Sequence, residues 1–553
     1  MPTPQFLAEP AIEHGPEHAP LVARMSMKTS GADETRVRIE QNGDAWTITF
    51  PATDGRCLLA GFHPEGEARL AVQVAGQDGA ATWRKPLAHR LKDVPASPPE
   101  MPPLQTHVFQ PHRMAGRSTF ATGCRRAFGR ITDMSAAQRK RYTHRGMLIA
   151  VDNCGRMRWM RNLGRHAARM EQSANGTLIV HDTDPSSGRI DVAGDVIRTR
   201  YAARRPQEAE EGRIPVDARS QHHQPHQMPN GSILALSAHA RRMNDWPASV
   251  RDPDNSRAGR DIVGDMVVEV TPEGEVVWSW DSCDHLDPCR IGCDALDAYW
   301  HVRGFPGAAD RTHGNGVAYD ESDDSVLVSL RPQDCMLKID RKSGETVWIL
   351  GDHDRWPARL QGKLLTPLGE NFRWPWHMHN PRITSKGAIV LVHNGIYGAR
   401  PGNERIPFHK SFSRGVAYRV DKDAMSVEQV WSSALTDADV KERAWTMGDA
   451  HRPEDGDTAL VIHSPAMPHG RDDIGMDEDD RSRRYVSEFP SHARILECSR
   501  KDIGDIVFDM TVRDEDGLIH FEVFSGVRGD SLYPEDSGIK LDLCDTLQPE
   551  DAA

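Results

Sequence analysis

From about residue 143 onward the chain keeps returning to one pattern: an apolar run, a second strand-like run, a tight charged or Gly-containing turn, and a third run that often carries Trp. GMLIAVDNCGRMRWM is one instance, and NGTLIVHD with RIDVAGDVIRTRY is the next. PNGSILAL with DMVVEVTPEGEVVWSW, and DSVLVSL with CMLKIDRKSGETVWIL, follow. GAIVLVHN with GVAYRVDKDAMSVEQVW, and TALVIHS with ARILECSRKDIGDIVFDM, complete the series. Strand meanders recurring every 50 to 70 residues or so are the signature of a β-propeller, because one small sheet with two apolar faces is stable only between two neighbours. The chain therefore reads as all-β, with a six-bladed propeller over 143–545.

Upstream, TRVRIEQ, AWTITF and ARLAVQV alternate apolar and polar residues, and Asn42-Gly43 and Asp54-Gly55 supply turns between them. Residues 1–100 are expected to form a small β-sandwich domain, and 101–142, which continues the Pro-rich run PASPPEMPPLQ, a linker.

Charge and cysteine usage narrow the function classes. The chain carries 68 Lys and Arg against 81 Asp and Glu, a net charge of -13. That balance argues against nucleic acid and anionic membrane surfaces as partners, so an anionic substrate would need a local basic pocket. No run of about 18 apolar residues is present. The first twenty residues lack a basic and an apolar segment, which gives a cytoplasmic expectation, or a periplasmic one if the start is incomplete. The 9 cysteines read as thiols and not as a disulfide framework. The spacing of Cys283, Cys289 and Cys293 matches no familiar zinc pattern, and no metal site or cofactor is expected.

Propeller chemistry sits where the innermost strands begin, and three units place histidine there: His222-His223, His313-Gly314-Asn315, and His377-Met378-His379. Arg331 ends the strand SVLVSLR in the same unit as His313. Trp278, Trp280, Trp348 and Trp431, at strand ends, read as core. The acidic run 472–480 reads as a solvated loop, and His393, His451 and His463 as structural or pocket-lining.

These motifs, in this order, resemble the bacterial aryl-sulfate sulfotransferases (arylsulfotransferases). His222-His223 precede Met228-Pro229-Asn230-Gly231, His313-Gly314-Asn315 precede a strand ending in Arg331, and Met378-His379-Asn380 precede Asn394-Gly395, Arg400, Ser413-Arg414 and Tyr418. The resemblance implies a propeller with a small N-terminal sandwich. It also implies a sulfuryl group carried on a histidine, with no nucleotide, from an aryl sulfate donor to a phenolic acceptor. By position, His379 is the implied nucleophile, and His223, His313 and Arg331 hold the sulfuryl oxygens. His222, Asn315 and His377 are implied substrate-binding or orienting groups. Within the pairs, His222 could replace His223, and His377 could replace His379. The family includes homodimers, so the resemblance is compatible with one. Gln224, Pro381 and His393 depart from the family pattern at positions that bear on the acceptor.

The chemistry suits these residue types. A sulfuryl group in flight spreads charge over its oxygens, as a metaphosphate does, and needs an in-line nucleophile with fixed donors around it. Neutral imidazole offers a lone pair near pH 7, and guanidinium offers a permanent charge with forked donors. No G-x-x-x-x-G-K-[ST] loop occurs, consistent with a nucleotide-free reaction. Three rivals are a metal-dependent propeller lyase or hydrolase, a propeller that only displays a binding face, and a quinone-cofactor dehydrogenase.

Overall fold

A computed structural model describes residues 3–51, 55–64, 66–76, 81–83, 87–90, 103–115, 118–127, 145–163, 167–172, 178–182, 186–190, 196–205, 212–296, 299–436, 442–452, 456–466, 491–513, 519–529, 531–533 and 537–545. The secondary structure is nearly all β, as the alternation and the recurrent runs require.

Each of the six recurrent units lies in its own sheet, mostly antiparallel. The sheet of Gly314–Asp320, Ser325–Leu330, Cys335–Asp340 and Thr346–Gly351 shows why the pattern folds this way. Ser325–Leu330 is buried at every position, so both of its faces are covered by protein. The turn before the last strand uses Gly344 at φ 75, and its amide donates to the Asp340 carbonyl at 2.8 Å.

Successive sheets share hydrophobic cores. Leu236 and Val267 pack with Val328 and Leu337, Leu327 and Met336 with Leu391 and Val416, and Val390 and Val392 with Val461. Val216 packs with Ala235 and Val268, and Phe120 and Leu148 share a core with Met170 and Ile190. The ring closes where Ala121, Met147 and Ile149 meet Leu460, Ile462 and Ile495. Strand exchange seals the same seam. Ile519–Glu522 and Gly526–Gly529, late in the chain, pair with Ser118–Ala127, which belongs to the first sheet. Leu104–Val108 pairs with Ile506–Val512 of the last. The arrangement is propeller-like, and the innermost strands of the sheets touch one another in a closed circuit.

Two further sheets lie outside the ring. Gln5–His14, Val22–Ser30 and Arg56–Ala60 form one, and Asp44–Pro51, Glu34–Gln41 and Glu67–Ala75 are central to the other. Val22 and Met25 of the first share a core with Val37, Ile39 and Trp46 of the second.

The segment expected as a linker, 101–142, instead carries Leu104–Val108 and Ser118–Ala127. Both pair into ring sheets, Ser118–Ala127 in the first and Leu104–Val108 in the last. The C-terminal strand Lys540–Asp545, placed in the propeller by the sequence, pairs with Asp44–Pro51 in the outer sheet. The Pro-rich residues 91–102 and the acidic run 472–480 lie outside the described residues. Trp280, Trp348 and Trp431 are buried in the sheet cores, and the Trp278 and Trp280 indoles donate to the Arg341 and Gly344 carbonyls at 2.8 and 3.1 Å. Among the described residues, no helix is long and apolar enough to cross a membrane.

Leu337, fully buried between two sheets, should cost about 2–5 kcal/mol when cut to Ala, while Val277→Ala on the exposed surface should be nearly neutral. Paired denaturant titrations would show it; equal losses at both positions would contradict the packing.

Candidate active site

The innermost strands begin irregularly. His223, His313, His377 and Asn380 all have left-handed backbone, with φ of 62, 37, 48 and 53. Such angles are strained for residues other than Gly and persist only where packing enforces them. Pairing registers also slip at these points, between His222 and His226, between Gly314 and Gly316, and between His379 and Arg382. A bulge re-aims the side chains around it. Gly316 lets two of these strands approach closely, since a Cβ there would lie 2.5 Å from Pro381 Cδ.

The result is a cluster of imidazoles from three different sheets. The His223 ring centroid lies 5.0 Å from that of His313, 6.2 Å from that of His379 and 5.0 Å from that of His222. Tyr299 joins them, with its ring 4.3 Å from His313 and stacked 5.9 Å from His223.

Each imidazole is gripped from behind. His379 is 2% exposed, and its Nδ1 is 2.7 Å from the Gly448 carbonyl oxygen. A carbonyl can only accept, so Nδ1 carries the hydrogen and Nε2 of the neutral ring keeps its lone pair. Gly448 sits at φ 87, where a side chain would be strained. His313 Nδ1 meets Asp310 Oδ2, and Asp310 Oδ1 accepts from Trp300 Nε1 at 2.8 Å. His222 Nε2 lies 3.3 Å from Asp265 Oδ1, while His222 Nδ1 and His223 Nδ1 stand 2.7 Å apart and share one hydrogen. Burial alone would raise the Asp265 carboxyl, but contacts from His222, Thr312 and the Gly314 amide hold it below the usual carboxylate range.

His377 and Arg331 form an adjoining group. His377 Nδ1 lies 2.8 Å from Asp334 Oδ1, and its Nε2 lies 3.3 Å from Asp294 Oδ1. Burial pushes the His377 pKa down, against the pull of Asp334. Arg331 pairs with Asp294 through Nη1 and donates from Nη2 to the Trp445 carbonyl at 3.1 Å. Its amide is 3.4 Å from the His313 carbonyl, which ties this group to the imidazole cluster. Burial lowers the Arg331 pKa to about 10, so the guanidinium remains charged at neutral pH.

Thus His222, His223, His313 and His379 share one cluster, and His377 and Arg331 share Asp294 beside it. Asn315 stands behind His379: its amide donates to the Met378 carbonyl at 2.7 Å, and its Oδ1 accepts from Ser329 Oγ at 2.6 Å. Sequence reading missed Asp265, Asp310, Asp334, Asp294 and Tyr299. Asp265 had a signal, a carboxylate set between the apolar runs of the strand DIVGDMVVEV. Asp294 and Tyr299 had none, because they lie on the connection 282–310, which carries no recurrent strand pattern. Cys283, Cys289 and Cys293 are free thiols. Among the described residues, no group of three or more His, Cys, Asp and Glu is placed to hold a metal ion.

His393 Nδ1 accepts from the Trp376 amide at 3.0 Å, and His451 Nδ1 from the Arg528 amide at 3.1 Å. Both are structural acceptors, His393 buried and His451 half-buried.

A closed all-β ring with an imidazole cluster at the start of its inner strands defines the class. The arylsulfotransferase (ASST) family pattern matches residues 121–437. That is more than half of the chain, and the protein belongs to this family. It is 27% identical over 249 residues to the arylsulfate sulfotransferase AssT of Escherichia coli O6:H1 (strain CFT073), covering 38% of this chain and 39% of that protein. It is 28% identical over 211 residues to AssT of Lelliottia amnigena, covering 31% and 34%. The matched region thus spans under two fifths of either relative. Among solved structures, the Cps50 (Swd1) β-propeller domain of Myceliophteria thermophila has 10% identity and a TM-score of 0.29, covering 72% of this chain and 98% of that one.

The buried histidines set an acid limit. Burial, aided by Arg382 and Arg528, takes His451 down to about 3. Burial takes His463 to about 4, with Glu442 opposing and Arg494 assisting. The folded state resists these protons while the unfolded chain accepts them near pH 6.5. Stability from each is whole above that value and falls by about 1.4 kcal/mol per pH unit as pH drops toward 4 and 3. Thermal midpoints should therefore fall between pH 7 and pH 4.5, less steeply in His463→Leu, and a variant with an unchanged slope would contradict this.

Proposed function

We propose that the protein is an aryl-sulfate sulfotransferase that works without a donor nucleotide, in two half-reactions through a sulfohistidine at His379. The observation that carries this reading is the tautomer of His379. Its Nδ1 is committed to the Gly448 carbonyl, which leaves an Nε2 lone pair among the histidines of other sheets. His377, by contrast, has a carboxylate beside each ring nitrogen, which favours His379 over His377 as the nucleophile.

In the first half-reaction, His379 Nε2 forms a bond to sulfur as the bond from sulfur to the aryl oxygen breaks and the phenol leaves. In the second, the oxygen of an acceptor phenol attacks sulfur, the N–S bond breaks, and the imidazole is restored. A phenol has a pKa near 10, so departure as phenoxide needs only modest protonation. His223 and His313, within ring contact of each other, are the candidates for donating that proton and removing the acceptor's. Asp310 behind His313 would compensate the positive charge that appears on a ring taking a proton, as a buried carboxylate does in hydrolase triads. Arg331 and the protonated imidazoles supply the fixed donors around the sulfuryl oxygens. Family membership and the two AssT relatives support an aryl sulfate as donor and a phenol as acceptor.

Purified protein should release 4-nitrophenol from 4-nitrophenyl sulfate when a phenol acceptor is added. His379→Asn should lower that turnover by roughly a thousandfold or more while the thermal midpoint stays near that of the wild type. Near-normal turnover by the variant would remove His379 from the nucleophile role.

A further inference from the structure

The connection 282–310 between two ring sheets brings a carboxylate to the guanidinium that would hold the sulfuryl group. Asp294 Oδ2 pairs with Arg331 Nη1, and Asp294 Oδ1 lies 3.3 Å from His377 Nε2. The placement is built. Arg290 Nη1 donates to the Gln333 carbonyl at 2.8 Å, and Gln333 Nε2 donates back to the Arg290 carbonyl at 2.7 Å. Arg400 donates to the Ile291 carbonyl, and Cys293 Sγ contacts the Ala399 carbonyl at 3.5 Å. Ile291, Ala295 and Leu296, around Asp294, are buried against the long hairpin of Ile233–Pro247 and Arg257–Val270.

The charges here cancel. Arg331 pairs with Asp294, and Arg400 Nη1 pairs with Asp334 at 2.8 Å. Two guanidiniums and two carboxylates surround His377, a ring that burial keeps neutral. Arg331 Nε is buried and has no hydrogen-bond partner among the described residues, which leaves one open donor for an incoming anion. A sulfate ester brings one negative charge. A phosphate monoester above its second pKa of about 6 brings nearly two. Each ligand charge meets Arg331 and Asp294 together, and in a buried site the second charge adds repulsion without a new cation to meet it.

We propose that Asp294 is a specificity-determining residue: by occupying Arg331 it tunes the anion pocket to singly charged aryl esters and rejects doubly charged ones. This rests on the sulfotransferase reading for its biological sense, but not for its test. Asp294 acts through Arg331 and is a positioning residue, not a catalytic one.

The test is calorimetric titration of the full chain with two probes of like shape, benzenesulfonate (one charge) and phenyl phosphate at about pH 8 (two charges). Wild type should prefer benzenesulfonate. In Asp294→Asn the preference should shift toward phenyl phosphate by roughly tenfold or more, and Asp294→Glu, which keeps the charge, should restore it. Asp294→Ser is a second neutral variant if Asp294→Asn loses its fold. A merely structural role would weaken both probes together, and an unchanged ratio in a folded neutral variant overturns the proposal. Turnover of 4-nitrophenyl sulfate is measured separately. If the wild type shows none, the sulfotransferase reading fails, while the ratio of the two probes still decides the role of Asp294.

Discussion

A carboxylate or carbonyl oxygen stands against four of the imidazoles at the site: Asp265 against His222, Asp310 against His313, Asp334 against His377, and the Gly448 carbonyl against His379. Imidazole is useful in chemistry only when its tautomer and orientation are set, and the second nitrogen sets both. These acceptors also link sheets. Gly448 belongs to the turn leading into the last ring sheet, while His379 opens the one before it. Asp265 accepts from the Gly314 amide of the neighbouring sheet at 2.6 Å. The same bonds that fix the chemistry therefore fix the relative position of neighbouring sheets.

This arrangement would let an acidic protein offer the anion site that the proposed function needs. The net charge of -13 governs the far field, which is screened within about 10 Å at ordinary ionic strength. Close in, Asp265, Asp310 and Asp334 each lie against an imidazole, and Asp294 pairs with a guanidinium. Burial has a cost for the arginines as well, visible in the lowered Arg331 and Arg414 pKa values. A guanidinium tolerates that displacement and stays charged, where a lysine ammonium would be nearer to losing its proton.

The legible part of the fold was what repeats locally. DSVLVSL, GAIVLVHN and TALVIHS each lie on a buried strand of a separate sheet, because short β-rich runs bounded by turns record burial on both faces. What crosses the ring was not legible. Ser118–Ala127 pairs with Ile519–Glu522, and Asp44–Pro51 with Lys540–Asp545, across hundreds of residues. Neither segment carries a local mark of its partner. For the site, the histidines stood out because they precede strands at matching positions in several units. Their acceptors are harder to read: Asp310 lies three residues before His313, but the Gly448 carbonyl is backbone and leaves no mark in sequence at all.

The strained backbone at the site follows from the same architecture. A left-handed non-Gly residue costs on the order of 1–3 kcal/mol, and His223, His313 and His377 each adopt one. An isolated hairpin could not hold them. Here the strands that follow are locked on both sides by neighbouring sheets, and the seam between first and last sheets is sealed by strands from both ends of the chain. Relaxing one histidine would require a sheet to shift against two packed neighbours. Closure of the ring thus supplies the stiffness that holds these imidazoles in place, and under the proposed sulfuryl transfer that stiffness would preorganise the donors for a travelling anionic group.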